Sequence, residues 1–169
     1  MGRLTTIEIK KQDMHFSAAH FTIFSASERE RLHGHNFYVA AEITGIVRED
    51  GLCFDYVGVK QRLRALCKQY DEYTLIAARS PHLSVTSKED DYIVGFNGDS
   101  LIFKKAETLL LPVANVTIEE LAHLLLSELL EDTSCFNATE ITKLVIKVSS
   151  GPGQWGSSSW ENHSRGDES

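Results

Sequence analysis

The sequence predicts an α+β domain in which antiparallel strands form a sheet and two helices collect on one of its faces. Three observations lead there. Apolar residues alternate with period two near the N-terminus, in the next forty residues and again near the C-terminus. Two stretches between these strands carry apolar stripes at helical spacing. The segment separating the two helices holds a hairpin signal. The resulting order is strand, strand, helix, hairpin, helix, strand.

Residues 4–20 read as extended. Ile7 and Ile9 alternate with Thr6, Glu8 and Lys10, whereas Met14, Phe16, Ala18 and His20 share the opposite parity. A β-bulge in the polar run Lys10 to Asp13 accounts for the switch. Residues 21–32 lose the alternation and read as a loop, and Phe37, Val39, Ala41 and Ile43 resume it. Asp50-Gly51 marks a turn. Asp55 is placed to cap a helix with the stripe Val59, Leu63, Leu66, Cys67 and Tyr70, ending near Asp71. Tyr92 to Phe96 and Leu101 to Phe103, joined at Asn97-Gly98, predict the hairpin. Thr117 and Glu120 form a capping box ahead of Leu121, Ala122, Leu125 and Leu129. Leu144, Ile146 and Val148 alternate as the last strand, residues 149–159 read as a Gly/Ser-rich loop, and a frayed tail is expected from 162 to 169. Residues 1–161 therefore make one domain.

The chain has 169 residues, 42% of them hydrophobic and 24% charged, with a net charge of −7. That size supports a real core. The acidic balance argues against nonspecific binding to nucleic acid or anionic membrane. No apolar run approaches the roughly 20 residues of a membrane span, and Met1 to Lys11 has no signal-peptide core. The expected location is the cytoplasm. Cys53, Cys67 and Cys135 are odd in number and far apart, so they read as reduced, buried thiols.

Three of the seven histidines stand out. His33 and His35 are two apart, so in extended chain they point to one side. His20 ends the preceding strand. If these strands pair antiparallel, the three imidazoles converge, and three neutral imidazoles with a fourth position open suit catalytic zinc. Gly34 between the pair would permit close backbone packing. His15 lies on the other strand face, and His82, His123 and His163 read as solvated or structural.

The residues around these histidines resemble a known family. Phe16-Ser17-Ala18-Ala19-His20 and Glu30-Arg31-Leu32-His33-Gly34-His35-Asn36-Phe37 are similar to 6-pyruvoyl-tetrahydropterin and 6-carboxy-tetrahydropterin synthases. So are Glu42-Ile43-Thr44-Gly45, Asp50-Gly51, Phe54-Asp55-Tyr56, Leu111-Pro112 and Asn115-Val116-Thr117-Ile118-Glu119. The resemblance implies the T-fold, a four-stranded antiparallel sheet with two helices on one face, here with an extra hairpin. It implies Zn2+ on His20, His33 and His35. It also implies a pterin substrate and homo-oligomers, trimers or dimers of trimers, with sites between subunits.

In such proteins zinc grips hydroxyl oxygens of the pterin side chain while a general base moves a proton. Many members place a cysteine before H-G-H. Here Ser27 and Arg29 stand at those positions, and Glu30 gives E-x-x-H-G-H, similar to a class in which glutamate takes the role. That class is associated with cleaving 7,8-dihydroneopterin to 6-hydroxymethyl-dihydropterin. Partial burial beside the metal would raise the Glu30 pKa, against the pull of the metal charge.

Two positions depart from the family pattern. Its Asp-His pair after the first helix reads Asp71-Glu72 here, and Ser150 stands where a glutamate anchors the pterin. A hydroxyl makes no charged bidentate contact. Thr117 and Glu119 fit the family's substrate-side helix start, and Gln154 and Trp155 offer a different pocket wall. The expectation is a zinc-dependent lyase acting on dihydroneopterin or its triphosphate. A divergent substrate and a catalytically silent zinc-binding oligomer are the alternatives.

Overall fold

A computed structural model describes residues 3–132, 134 and 139–162. Strands β1 (Arg3–Ile9) and β2 (His15–His20) both pair antiparallel with one long strand, β3 (His33–Val47). Ile9 faces Ala41 and His15 faces Tyr38, so the five residues 10–14 oppose only Val39 and Ala40. The parity switch is thus a three-residue excursion that splits the strand, not the expected one-residue bulge. Both insert an odd number of residues, and either moves the apolar set to the other parity.

On the far side of β3 lies β9 (Ile141–Ser149), and β10 (Gly156–Glu161) pairs antiparallel with β9. With β1 and β2 counted as one broken row, this is a four-row antiparallel sheet. Two short strands, β4 (Tyr73–Ala77) and β8 (Thr108–Leu111), extend it in parallel beyond β2. Strand β10 corrects the loop expected over 149–159. Its sequence GSSSWE is polar, and pairing with β9 makes it a strand. The close approach is real at Gly156, where a Cβ would meet the Ile118 backbone at 2.8 Å.

Helices α1 (Val57–Tyr70) and α2 (Ile118–Glu131) pack on one face of the sheet. The α1 stripe buries the five residues that its spacing singled out. Helix α2 buries Leu121, Ala122, Leu125 and Leu129, and adds Leu124 and Leu126. They close over Phe16, Phe37, Ala41, Ile43 and Ile146. Asp55 is not the α1 cap. Tyr56 holds that position without a side-chain bond, and the Asp55 carboxylate accepts from the Val57 amide at 2.8 Å. Thr117 does cap α2, accepting from Glu120 N–H at 3.4 Å, while the Glu120 carboxylate accepts from Ala114 N–H instead of closing the box.

The hairpin forms from β6 (Asp91–Phe96) and β7 (Asp99–Lys104), with Asn97 and Gly98 at φ 48° and 85°. A third strand, β5 (Ser84–Lys88), joins it as a separate sheet. Between the two sheets lies a smaller core of Phe21, Ile23, Ile76, Val94 and Phe96. Cys53 and Cys67 are free and buried, and burial pushes the Cys67 thiol up to about 12. Cys135, His163 and the tail from 163 lie outside the described residues. Asn162, the first residue of the expected tail, donates its amide to Thr142 at 2.9 Å. No helix among the described residues is long and apolar enough to cross a membrane.

Candidate metal centre

Antiparallel register brings the three histidines together. His20 lies opposite His33, and Ala18 lies opposite His35, so all three side chains project on the helix-covered face at one end of β2 and β3. Their ring centroids are 4.8 to 5.3 Å apart. One nitrogen from each ring lies within 4.8 Å of the other two. His20 is 5% exposed, and burial pushes its pKa down to about 4, so it is neutral at neutral pH.

The hydrogen bonds around the rings set their tautomers. His20 Nδ1 is 3.0 Å from the Val116 carbonyl, and His33 Nδ1 is 2.7 Å from that of Arg31. A carbonyl only accepts, so both Nδ1 atoms carry the proton and both Nε2 atoms are left with a lone pair. His20 Nε2 is buried with no partner among the described residues. His33 Nε2 and His35 Nε2 are 3.0 Å apart, a contact that is favourable only with a proton or a cation between them. Zinc fits this donor set: all-nitrogen, mutually oriented, with an orphaned buried acceptor facing in. Gly34 is not required by close packing, because a Cβ there would meet only the Ala18 carbonyl, at 3.5 Å.

Glu30 stands beside the cluster, its carboxylate 3.8 Å from His33 Nε2 and 36% exposed. The same carboxylate accepts from Thr22 N–H at 2.9 Å. Burial pushes the Glu30 carboxyl up. The Thr22 amide and the His33 and His20 rings outweigh that and hold it below its ordinary value, opposite to the expected raised pKa.

Asp71 and Glu72 are placed elsewhere. Asp71 accepts from Ser17 N–H at 2.7 Å, and Glu72, at φ 65°, donates its amide to the Ser17 carbonyl at 2.7 Å. Ser17 pairs with Asn36, and both side chains lie on the sheet face away from the helices. An open hollow of about 450 Å³ lies beside them, lined by Ser17, Ala19, Gly34, His35, Asn36 and Glu72 among others. No contact joins Asp71 to the histidines of its own chain among the described residues. Thr117 and Glu119 lie at the α2 start, with Thr117 one residue beyond the Val116 carbonyl that holds His20. Ser150 follows β9 directly. Trp155 lines a separate hollow of about 240 Å³ with Glu8, Lys10 and Lys147, and the Lys10 ammonium lies 4.6 Å over its ring. His15, His82 and His123 are exposed and outside the cluster.

Two contributors escaped the sequence. The Val116 carbonyl is backbone and leaves no residue-type signal. The Asn115 side chain accepts from Ile23 N–H at 3.0 Å and donates to the Ile23 carbonyl at 2.7 Å, pinning the loop after His20 to the start of α2. An asparagine two residues before a helix cap was the available hint.

Comparisons with known proteins show the family and the fold. Residues 8–159 match the sequence pattern of the family described as 6-pyruvoyl tetrahydropterin synthase. The chain is 28% identical over 119 residues to a provisionally assigned 6-carboxy-5,6,7,8-tetrahydropterin synthase of Pyrococcus abyssi, covering 69% of this chain and 70% of that one. A protein of the same provisional assignment from Methanocaldococcus jannaschii is 20% identical over 142 residues, 83% and 86% of the two chains. The crystal structure of 6-pyruvoyl tetrahydropterin synthase from Plasmodium vivax shares the fold, with a TM-score of 0.87, 24% identity and coverage of 95% and 99%. Variants of that enzyme replace a glutamate, described as a catalytic residue, by alanine or cysteine.

Proposed function

The chain belongs to the 6-pyruvoyl tetrahydropterin synthase family, a family of lyases in pterin synthesis, and from that premise we propose that it is a zinc-dependent enzyme acting on the side chain of 7,8-dihydroneopterin or its triphosphate, with Glu30 as general base. The carrying observation is the buried, unpartnered His20 Nε2 facing His33 and His35, with the Glu30 carboxylate beside them. The catalytic glutamate of the Plasmodium vivax enzyme supports the role given to Glu30.

His20, His33 and His35 would hold the zinc, which would supply Lewis acidity to a hydroxyl oxygen of the substrate. The chain's own residues do the rest. Val116 and Arg31 carbonyls keep His20 and His33 in the ligating tautomer. Glu30, held ionised by the Thr22 amide, accepts a proton from the substrate side chain. With a glutamate in this place the favoured outcome is side-chain cleavage to 6-hydroxymethyl-dihydropterin. Thr117, Glu119 and Ser150 are the residues we assign to the pterin ring. Asp71 bonds to the Ser17 backbone and makes no contact with the histidines of its own chain among the described residues, and we assign it a proton-relay role at the centre of a second copy of the chain, in a trimer or dimer of trimers.

A divergent substrate is the second reading, favoured by the absence of any carboxylate from Ser150 to Trp155. The test is purified protein assayed for bound zinc and incubated with dihydroneopterin and its triphosphate. Hydroxymethyl-dihydropterin or a 6-pyruvoyl product that vanishes in Glu30→Gln supports the proposal. Bound zinc with neither turnover nor pterin binding refutes it, and tight pterin binding without turnover identifies a silent binding protein.

A further inference from the structure

We infer that Arg29 is a positioning residue for Glu30, and that the small sheet of β5, β6 and β7 serves the site as the wall against which Arg29 is held. The inference rests on the reading of Glu30 as the base.

Glu30 sits on a twelve-residue loop, residues 21–32, between two metal-ligand strands. A base on a free loop would sample many positions, whereas proton transfer needs it held to within about 0.5 Å. Three contacts fix it. Its N–H donates to the Thr22 carbonyl at 2.8 Å, and its carboxylate accepts from Thr22 N–H. Its own carbonyl accepts from Arg29 Nη1 at 2.8 Å. The first two close the loop on itself, with Ile23 and Arg29 bridged across it. The Asn115 bonds to Ile23 hold this turn to the start of α2, and the third contact ties it to a further element outside.

That outside element is the appended sheet. The Arg29 guanidinium lies 4.8 Å from the Phe21 ring centroid and 5.5 Å from that of Phe96. Phe21 directly follows His20, and Phe96 ends β6. Both rings belong to the core shared by the two sheets. Arg29 makes no ion pair among the described residues, so the aromatic faces and the Glu30 carbonyl are its environment. A planar guanidinium stacks on rings while aiming a donor in a fixed direction, which an ammonium does not do.

The test uses the full-length, zinc-loaded chain with Arg29→Met, Arg29→Lys and Phe96→Leu. Met keeps an apolar stem over the rings, so the small core stays filled. In Arg29→Met the bound zinc is expected to stay at the wild-type level. Exchange of the Thr22 amide, read by NMR, should accelerate about tenfold or more, with amides of residues 35–39 unchanged. On both dihydroneopterin and its triphosphate, kcat should fall roughly tenfold to a hundredfold at constant KM, the scale of a small misplacement. Phe96→Leu should move both readouts in the same direction, and Arg29→Lys should not restore kcat. Unchanged Thr22 exchange in Arg29→Met overturns the inference. So does a rise in KM confined to the triphosphate and cured by Arg29→Lys, which would make Arg29 an anion contact. Failure of the base assignment looks different: Glu30→Gln keeps turnover, while Thr22 exchange still reports on Arg29.

Discussion

Strands β2 and β3 present two unlike faces within four residues of each other. On the helix side, His20, His33 and His35 converge, the Nδ1 atoms of His20 and His33 are committed to backbone carbonyls, and the wall behind them is the main core. On the other side, Ser17, Asn36 and Glu72 edge an open hollow in which the polar groups bond mainly to one another and to backbone. The first face gathers three side chains that could hold a metal ion. The second is open and polar. The difference follows from period two: neighbouring residues in one strand are assigned to separate chemical environments by a half-turn of the backbone.

Substitutions on the two faces sharpen or break that contrast. The largest effect belongs to His33→Ala, which should empty the centre of zinc and lower turnover by at least about a thousandfold. A chelator should lower the Tm of the wild-type protein and leave that of the variant unmoved. Glu30→Gln should keep wild-type zinc, measured by elemental analysis, and lose about 10²- to 10⁴-fold in kcat. Asp71→Ala removes the carboxylate that accepts from Ser17 N–H, at a cost of about 1 kcal/mol read by urea unfolding, with zinc retained. A kcat loss in assembled protein larger than that stability change would join the two faces across a subunit boundary. Gly34→Ala is the smallest change. Its Cβ meets only an ordinary contact, so stability should rise by about 0.5 kcal/mol with zinc intact. A large drop in turnover there would mean that substrate enters the hollow.

The convergence of the three histidines was legible because parity is read directly from sequence: His20 shares the phase of Met14 and Phe16, and His33 that of Phe37. The hairpin and both helical stripes were legible for the same kind of local reason. Strands β4 and β8 were not, since each is five residues or fewer and pairs in parallel with a distant segment. Strand β10 was hidden by its serines, and the split between β1 and β2 by the equivalence of one and three inserted residues. The placement of Asp71 against the Ser17 backbone, apart from the histidines, was invisible because nothing in the text after α1 says which strand the chain will meet.

The His20 to Val116 bond spans 96 residues. All three ligands lie in the first 35 residues and reach the ribosomal exit early, on strands that pair locally. The carbonyl that fixes the His20 proton is made later, after about 5–20 s of further synthesis. Until then His20 is free to carry its proton on either nitrogen. The geometry that fixes the His20 tautomer is therefore complete only when the start of α2 is in place.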